Sequence, residues 1–352
     1  KREKLNRKID AVQRAIGAVA VKELKNSIDR EISMGLLDGR IVLITGAGRG
    51  IGREHALLMA SEGAKIVVND LGGGVDGSGE DTGPAEETAK EIRDMGGEAV
   101  ANNDSVTDWE GAQRMVNAAV EAFGDLHVLV NNAGILRDRV VVNMTEGEWD
   151  AVIDVHMKGH FCPTRWAAAY WREQTKAGVE VDAAIINTAS GAMLGNLGQL
   201  NYSGAKAGIA AMTLVGAGEL ARYGVRVNCL APIARTRMTL QTPGLEEVVA
   251  APEDPSDFDL YDPANISPLV GYLATEGCPF TGGVFHVGGN EVGLYGGWSL
   301  SDDDILATDG RWTVGDLQAK APRLLDGRSN IASVTTSIGD TFKGFGKRQP
   351  SE

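Results

Sequence analysis

Ile41-Val-Leu-Ile-Thr-Gly-Ala-Gly-Arg-Gly-Ile-Gly52 is the stretch on which the fold turns. Ile41-Val-Leu-Ile44 is a continuous apolar run, the pattern of a parallel strand covered on both faces. Gly46, Gly48, Gly50 and Gly52 follow, and a helical pattern runs on through Met59. The spacing is GxxxGxG, because Ile51 stands in the sixth place of the GxGxxG fingerprint. The physics survives the change. Glycines let the backbone turn tightly and approach a pyrophosphate, and a helix beginning near Gly50 aims its free N–H groups at that anion. Strand, glycine turn and helix in succession predict a dinucleotide site.

Outward from this stretch the pattern alternates. Strands are predicted at Lys65–Asn69, 98–102, Leu126–Asn131, Ala183–Asn187, Val225–Leu230 and Gly283–Val287. Helices are predicted at about 84–95, 108–123, 146–174, 201–222 and 264–275. Alternation of this kind means βαβ units, hence an α/β, Rossmann-type doubly wound parallel sheet of about seven strands. It is expected to form one domain, residues 34–300, with terminal extensions. Residues 1–33 carry an amphipathic stripe (Leu5, Ile9, Val12, Ile16, Val19), either a membrane-surface or partner helix or a non-native segment ahead of Met34. Residues 301–352 are a polar tail in which Thr313 is placed to cap a short helix through about Leu325.

Composition narrows the function classes. A net charge of -14 on 352 residues argues against nucleic acid or an anionic membrane as partner. No apolar run approaches the ~20 residues of a membrane span, so no stable insertion is expected. Three scattered cysteines (Cys162, Cys229, Cys278) suit a reducing, cytoplasmic setting better than a disulfide frame or zinc site.

The candidate site residues fall at strand ends. Asp70, eighteen residues after Gly52, is placed to accept hydrogen bonds from an adenosine ribose. Arg49 in the glycine turn pulls the other way, toward a 2′-phosphate. Asp104, followed by Ser105, ends the third strand where an adenine edge would lie. Asn132, Ala133 and Gly134 end the fourth. Further on, Tyr202 and Lys206 are four apart and share one helix face, with Ser190 on the loop before them. A phenol, an ammonium and a hydroxyl thus converge outside the carboxyl edge of the sheet. A nearby cation lowers a phenol from its usual value near ~10, which suits acid–base work. His156 and His160 form an HxxxH pair that lacks the Glu of HExxH, so no metal is expected. Small residues on several faces of 201–222 (Ala205, Gly208, Ala211, Gly216, Gly218) suggest close packing against a second helix.

Taken together, TGAGRGIG, Asp70, NNAG, Ser190 and Tyr202-x-x-x-Lys206 resemble the short-chain dehydrogenase/reductase family over about residues 35–300. VVNDLGG (67–73), NNAGILRDR (131–139) and GNLGQLNYSGAK (195–206) are similar to a narrower group. That group includes the (3R)-hydroxyacyl-CoA dehydrogenase portion of the peroxisomal multifunctional β-oxidation enzyme. The resemblance implies an oxidoreductase acting on CH–OH, using NAD rather than NADP, on a 3-hydroxyacyl-CoA or similar lipid. A hydroxysteroid dehydrogenase, a 3-oxoacyl carrier-protein reductase and, from another class, a dinucleotide-sensing module are the alternatives. It implies Tyr202 as general acid/base, Lys206 on the nicotinamide ribose, and Ser190 on the substrate oxygen. Gly46, Gly50, Ile51 and Gly52 would line the cofactor, and Pro232, Ile233 and Thr236 would orient the nicotinamide. His156 stands where most of the family has a proton-relaying Asn. Ser190 precedes Tyr202 by twelve residues where thirteen is commoner, leaving Thr188 as a fallback hydroxyl. A homodimer or homotetramer is implied as well.

Overall fold

The computed structural model describes residues 35–240, 246–297 and 305–325. β1 (Ile41–Thr45) leads into α1 (Gly50–Ser61), followed by β2 (Lys65–Asn69), α2 (Gly83–Asp94), β3 (Glu98–Asn102), α3 (Trp109–Phe123) and β4 (Val128–Asn131). Then come α4 (Glu146–Ile153), α5 (Gly159–Lys176), β5 (Ala183–Thr188), α6 (Leu200–Leu220), β6 (Val225–Ile233) and the short α7 (Arg237–Leu240). α8 (Ser267–Ala274), β7 (Val284–Gly288) and β8 (Glu291–Leu294) close the sheet.

β1 shows why these residues build this layer. Its side chains alternate between faces, yet all are apolar up to Ile44, because both faces are covered. Val42 and Ile44 join the core beneath α1, α2 and α8, while Ile41 and Leu43 join the one beneath α3, α5 and α6. Each such buried side chain contributes roughly 1.5–3 kcal/mol. Asp108 starts α3 by accepting from Glu110 N and Gly111 N, and Gly124, at φ 93°, ends it.

The sheet order is β3-β2-β1-β4-β5-β6-β7-β8, with β1 to β7 parallel. The chain leaves β1 on one side through β2 and β3, then returns to pair β4 with the opposite edge. That reversal opens a crevice at the carboxyl ends of β1 and β4, where such sheets bind ligands.

Two expectations need correction. The sheet has an eighth strand, β8, antiparallel to β7 across a Gly289–Asn290 turn. Its two apolar side chains, Val292 and Leu294, are exposed, so it carries no buried-strand pattern. The expected unbroken helix 146–174 is two helices joined by a π-helical turn, Asp154–Lys158. In that turn Gly159 N reaches back five residues to Asp154 O, and Pro163, which has no N–H to donate to the Gly159 carbonyl, lies in the first turns of the helix that follows. Downstream, Thr313 and Asp316 form a reciprocal capping box that starts α9 (Val314–Lys320). The stripe in residues 1–33 and the tail residues 301–304 and 326–352 lie outside the described residues.

Candidate active site

One cavity of about 330 Å³ runs along the carboxyl edge of the sheet, from Asp104 beyond β3 to Tyr295 beyond β8. Every site residue expected from the sequence lines it. The glycine turn (Gly46, Arg49, Gly50, Ile51, Gly52), Asp70, Asp104, Ser105 and the Asn132-Ala-Gly134 run form one half. His156, Ser190, Tyr202, Lys206, Pro232, Ile233 and Thr236 form the other.

The first half is built on close backbone contact. Asn132 Nδ2 donates to Thr45 O (3.1 Å) and Gly46 O (3.0 Å), tying the end of β4 to the glycine turn. Gly46 sits at φ 65°, and a Cβ there would lie 2.8 Å from Ala133 Cα. Gly50, also left-handed at φ 57°, has only Thr236 within 4.0 Å of where a Cβ would stand. A side chain at Gly50 would therefore fill open cavity rather than strike protein, as a cradle for a phosphate requires.

Asp70 is fixed from both sides. Its Oδ2 accepts from Gly48 N (2.8 Å) and its Oδ1 from Gly72 N (2.7 Å). Arg49 turns to Asp81 (3.8 Å), not to Asp70. Asp104 is held by Arg114 Nε (2.8 Å) and by Asn102 Nδ2 (2.9 Å).

In the second half, α6 carries Tyr202 and Lys206. Lys206 is buried, and its Nζ donates to Thr188 O at 2.5 Å. An ammonium has three donors, so this bond leaves others for a ligand. The Ser190 hydroxyl, which accepts from Ala192 N at 3.2 Å, lies near the Tyr202 phenol and favours its charged form. Thr188 also lines the cavity, and its Oγ1 is buried without a hydrogen-bond partner.

The electrostatics depart from the expectation that Lys206 depresses Tyr202. Burial pushes the phenol up to about 12, with the Ser190 hydroxyl opposing it. Burial also drives Lys206 down to about 7. A lysine whose charged form is disfavoured by burial exerts a weaker cation's field, although its Nζ stands 5.4 Å from the Tyr202 ring.

His156 and His160 both face backbone. His156 Nε2 meets Ile135 O at 2.8 Å and Ile135 N at 3.2 Å, leaving Nδ1 buried and unpartnered. Its ring stands edge-on to Tyr202 at 5.1 Å, and a Cβ on Gly134 would strike it at 2.5 Å. His160 Nε2 accepts from Thr188 N at 3.4 Å. Burial holds the pKa of each far below the usual histidine value, so both rings are neutral.

Several residues in and behind the cavity were not expected. Behind its wall, Asn201 is buried at the start of α6, donating to Arg137 O and Glu148 O while accepting from Tyr202 N at 2.8 Å. Asn196, Gln199, Arg237, His286 and Tyr295 line the cavity itself. Arg235 does not, being paired with Asp259 and Val249 O. The Asn-Tyr pair and the Arg-Met-Thr run are present in the sequence, but neither shows which way a side chain turns.

This crevice, turn and side-chain set define a dinucleotide-dependent oxidoreductase. The short chain dehydrogenase family matches residues 40–243, and the chain belongs to that family; it is an enzyme acting on CH–OH with a nicotinamide dinucleotide. Among similar proteins, the hydroxyacyl-CoA dehydrogenase ChsB1 of Mycobacterium tuberculosis is 42% identical over 73% of this chain and 80% of its own length. The peroxisomal hydratase-dehydrogenase-epimerase of Saccharomyces cerevisiae is 42% identical over 77% of this chain, which spans only 28% of that longer enzyme. A crystal structure of a short chain dehydrogenase from Mycobacterium avium superposes with a TM-score of 0.73 at 48% identity, covering 84% of this chain and 97% of that one.

Proposed function

We propose that the enzyme is NAD-dependent and interconverts a (3R)-3-hydroxyacyl thioester, of the acyl-CoA type, with the 3-oxoacyl thioester. The observation that carries the chemistry is the meeting of Ser190, Tyr202 and Lys206 in one cavity with the glycine turn. The substrate class is supported by the name and 42% identity of the hydroxyacyl-CoA dehydrogenase ChsB1.

The open space over Gly50 and the spare donors of Lys206 fit a dinucleotide. When bound, it supplies the hydride acceptor or donor. Tyr202 exchanges a proton with the substrate oxygen, and Ser190 donates a hydrogen bond to that same oxygen as charge develops on it. Lys206 would hold the nicotinamide ribose. Acceptors supplied there favour the charged ammonium and raise Lys206 from about 7. The charged form in turn lowers the nearby phenol from about 12. The expected depression of Tyr202 is thus a property of the cofactor complex.

His156 completes the proton path from its place beside Tyr202. His156→Ala is expected to lower kcat with little change in dinucleotide affinity, and His156→Asn to recover much of the loss. Equal kcat for wild type and the Ala variant across pH would leave His156 a packing residue against Ile135.

Self-association fits the outer face of α6, where Leu214 and Val215 are exposed beside Gly218. A monomer on sizing would retire it. Among the described residues no helix is long and apolar enough to cross a membrane.

The substrate class is tested by assaying acetoacetyl-CoA, a hydroxysteroid panel and simple ketones with NADH. Acetoacetyl-CoA is expected to lead by kcat/KM. A higher value for any steroid would overturn the thioester assignment.

A further inference from the structure

At the substrate end of the cavity a carboxylate sets the direction of two amides. Asp138 Oδ2 accepts from Gln199 Nε2 at 2.7 Å, and Gln199 Oε1 accepts from Asn196 Nδ2 at 2.7 Å. An ionised carboxylate only accepts hydrogen bonds, so Gln199 must turn its NH₂ toward Asp138. Its carbonyl oxygen then faces Asn196, which must answer with its own NH₂. The order cannot reverse without setting Gln199 Oε1 against the carboxylate. Asn196 Oδ1 is left over: among the described residues nothing donates to it, and it is not sealed from solvent.

The loop is built to hold this arrangement. Gly195 (φ 110°) and Gly198 (φ 80°) let it fold Asn196 back over Gln199, whose N donates to Asn196 O at 3.2 Å. Arg139 N donates to Gly198 O at 2.7 Å, clamping the loop to the segment that carries Asp138. Gln199 is buried and stands one turn before Tyr202. Asn196 lines the same cavity as Ser190 and Tyr202.

The chemistry of a 3-oxoacyl thioester shows what it can meet. The reacting oxygen belongs to Ser190 and Tyr202. The thioester carbonyl is an acceptor, and the acyl chain is hydrocarbon. The first N–H donor is the amide of the pantetheine-type arm, two carbons beyond the sulfur. We propose that Asn196 Oδ1 accepts a hydrogen bond from this amide N–H, and that Asp138 is a positioning residue that holds the oxygen toward the cavity through Gln199. This rests on the thioester reading above and extends it to the part of the substrate beyond the reacting carbon.

The test compares two acetoacetyl thioesters of the same shape, one of N-acetylcysteamine and one of 2-acetoxyethanethiol, in which an ester oxygen replaces the N–H. Wild type is expected to favour the amide by about tenfold in kcat/KM, the scale of one hydrogen bond made or forfeited, with the difference in KM. Asn196→Leu should bring the ratio to about one. Asp138→Asn, which lets the amide chain run either way, should bring it part of the way. A wild-type ratio near one overturns the proposal, as does an Asn196→Leu or Asn196→Ala variant that keeps the preference. Equal losses on both substrates in Asp138→Asn would make that residue merely structural and overturn its positioning role. If wild type reduces other ketones but neither thioester, the substrate class itself falls; turnover of both thioesters without preference removes only the role of Asn196.

Discussion

Tyr202→Phe is expected to lose roughly 10²–10⁴-fold in kcat, the usual scale of a positioned acid–base group, while NADH affinity measured by fluorescence titration stays within about twofold. The split follows from what the phenol touches. Its oxygen lies near Ser190, whereas the glycine turn and Asp70 line the opposite half of the cavity, and Lys206, retained in the variant, still offers its spare donors to the dinucleotide. Phe also keeps the ring contact with His156, so packing survives. The sign of the pH dependence follows from the phenol's high pKa. Alcohol oxidation needs the phenolate, so its kcat/KM should rise with pH until the phenol of the cofactor complex titrates. Ketone reduction needs the phenol and should fall only above that point. The break should lie below about 12, the value to which burial, opposed by the Ser190 hydroxyl, pushes the group without a cofactor. A Phe variant retaining more than about a tenth of wild-type kcat would remove the acid–base role.

The parts of this enzyme legible in its sequence are those whose signal is local. Gly46 is demanded by a left-handed backbone and the nearness of Ala133, and it appears in the chain as a glycine at a fixed offset from a strand. Tyr202 and Lys206 meet because a helix brings residues four apart onto one face. What was not legible depends on segments distant in the chain. Asp138 and Gln199 are sixty-one residues apart, and their bond exists only because segment 135–139 runs beside the start of α6. Whether Arg235 or Arg237 faces the cavity is decided by Asp259, which takes Arg235. The eighth strand had a local signal, the Gly289–Asn290 turn, but its exposed apolar residues lack the buried run that marks the other strands. Burial of Tyr202, which reverses the first expectation for its phenol, is like that of Lys206 a property of the assembled cavity alone.

Wild type should prefer NAD over NADP by kcat/KM, and Asp70 should be the reason. Its carboxylate cannot swing away, because Gly48 N and Gly72 N hold its two oxygens. Each oxygen still has a lone pair for a ribose hydroxyl, and such charge-assisted bonds are among the stronger ones. A 2′-phosphate in the same place would set like charges about 4 Å apart. At an effective dielectric near 20 they repel by about 4 kcal/mol, or about a thousandfold. Water at the cavity rim screens part of this, so a preference between about tenfold and a thousandfold is expected. Arg49 and Arg237 could offset it, since both line the cavity near Asp70. Arg49, however, is engaged by Asp81 and partly exposed. The fixed carboxylate should therefore decide. Asp70→Asn keeps one acceptor for the backbone N–H groups while removing the charge, so it should shrink the preference at least tenfold with the fold intact by circular dichroism. Arg49→Ala in that background should then weaken NADP more than NAD. Steady-state kcat/KM for both cofactors in all three proteins checks this, and a wild-type preference for NADP would show that the ribose does not lie against Asp70.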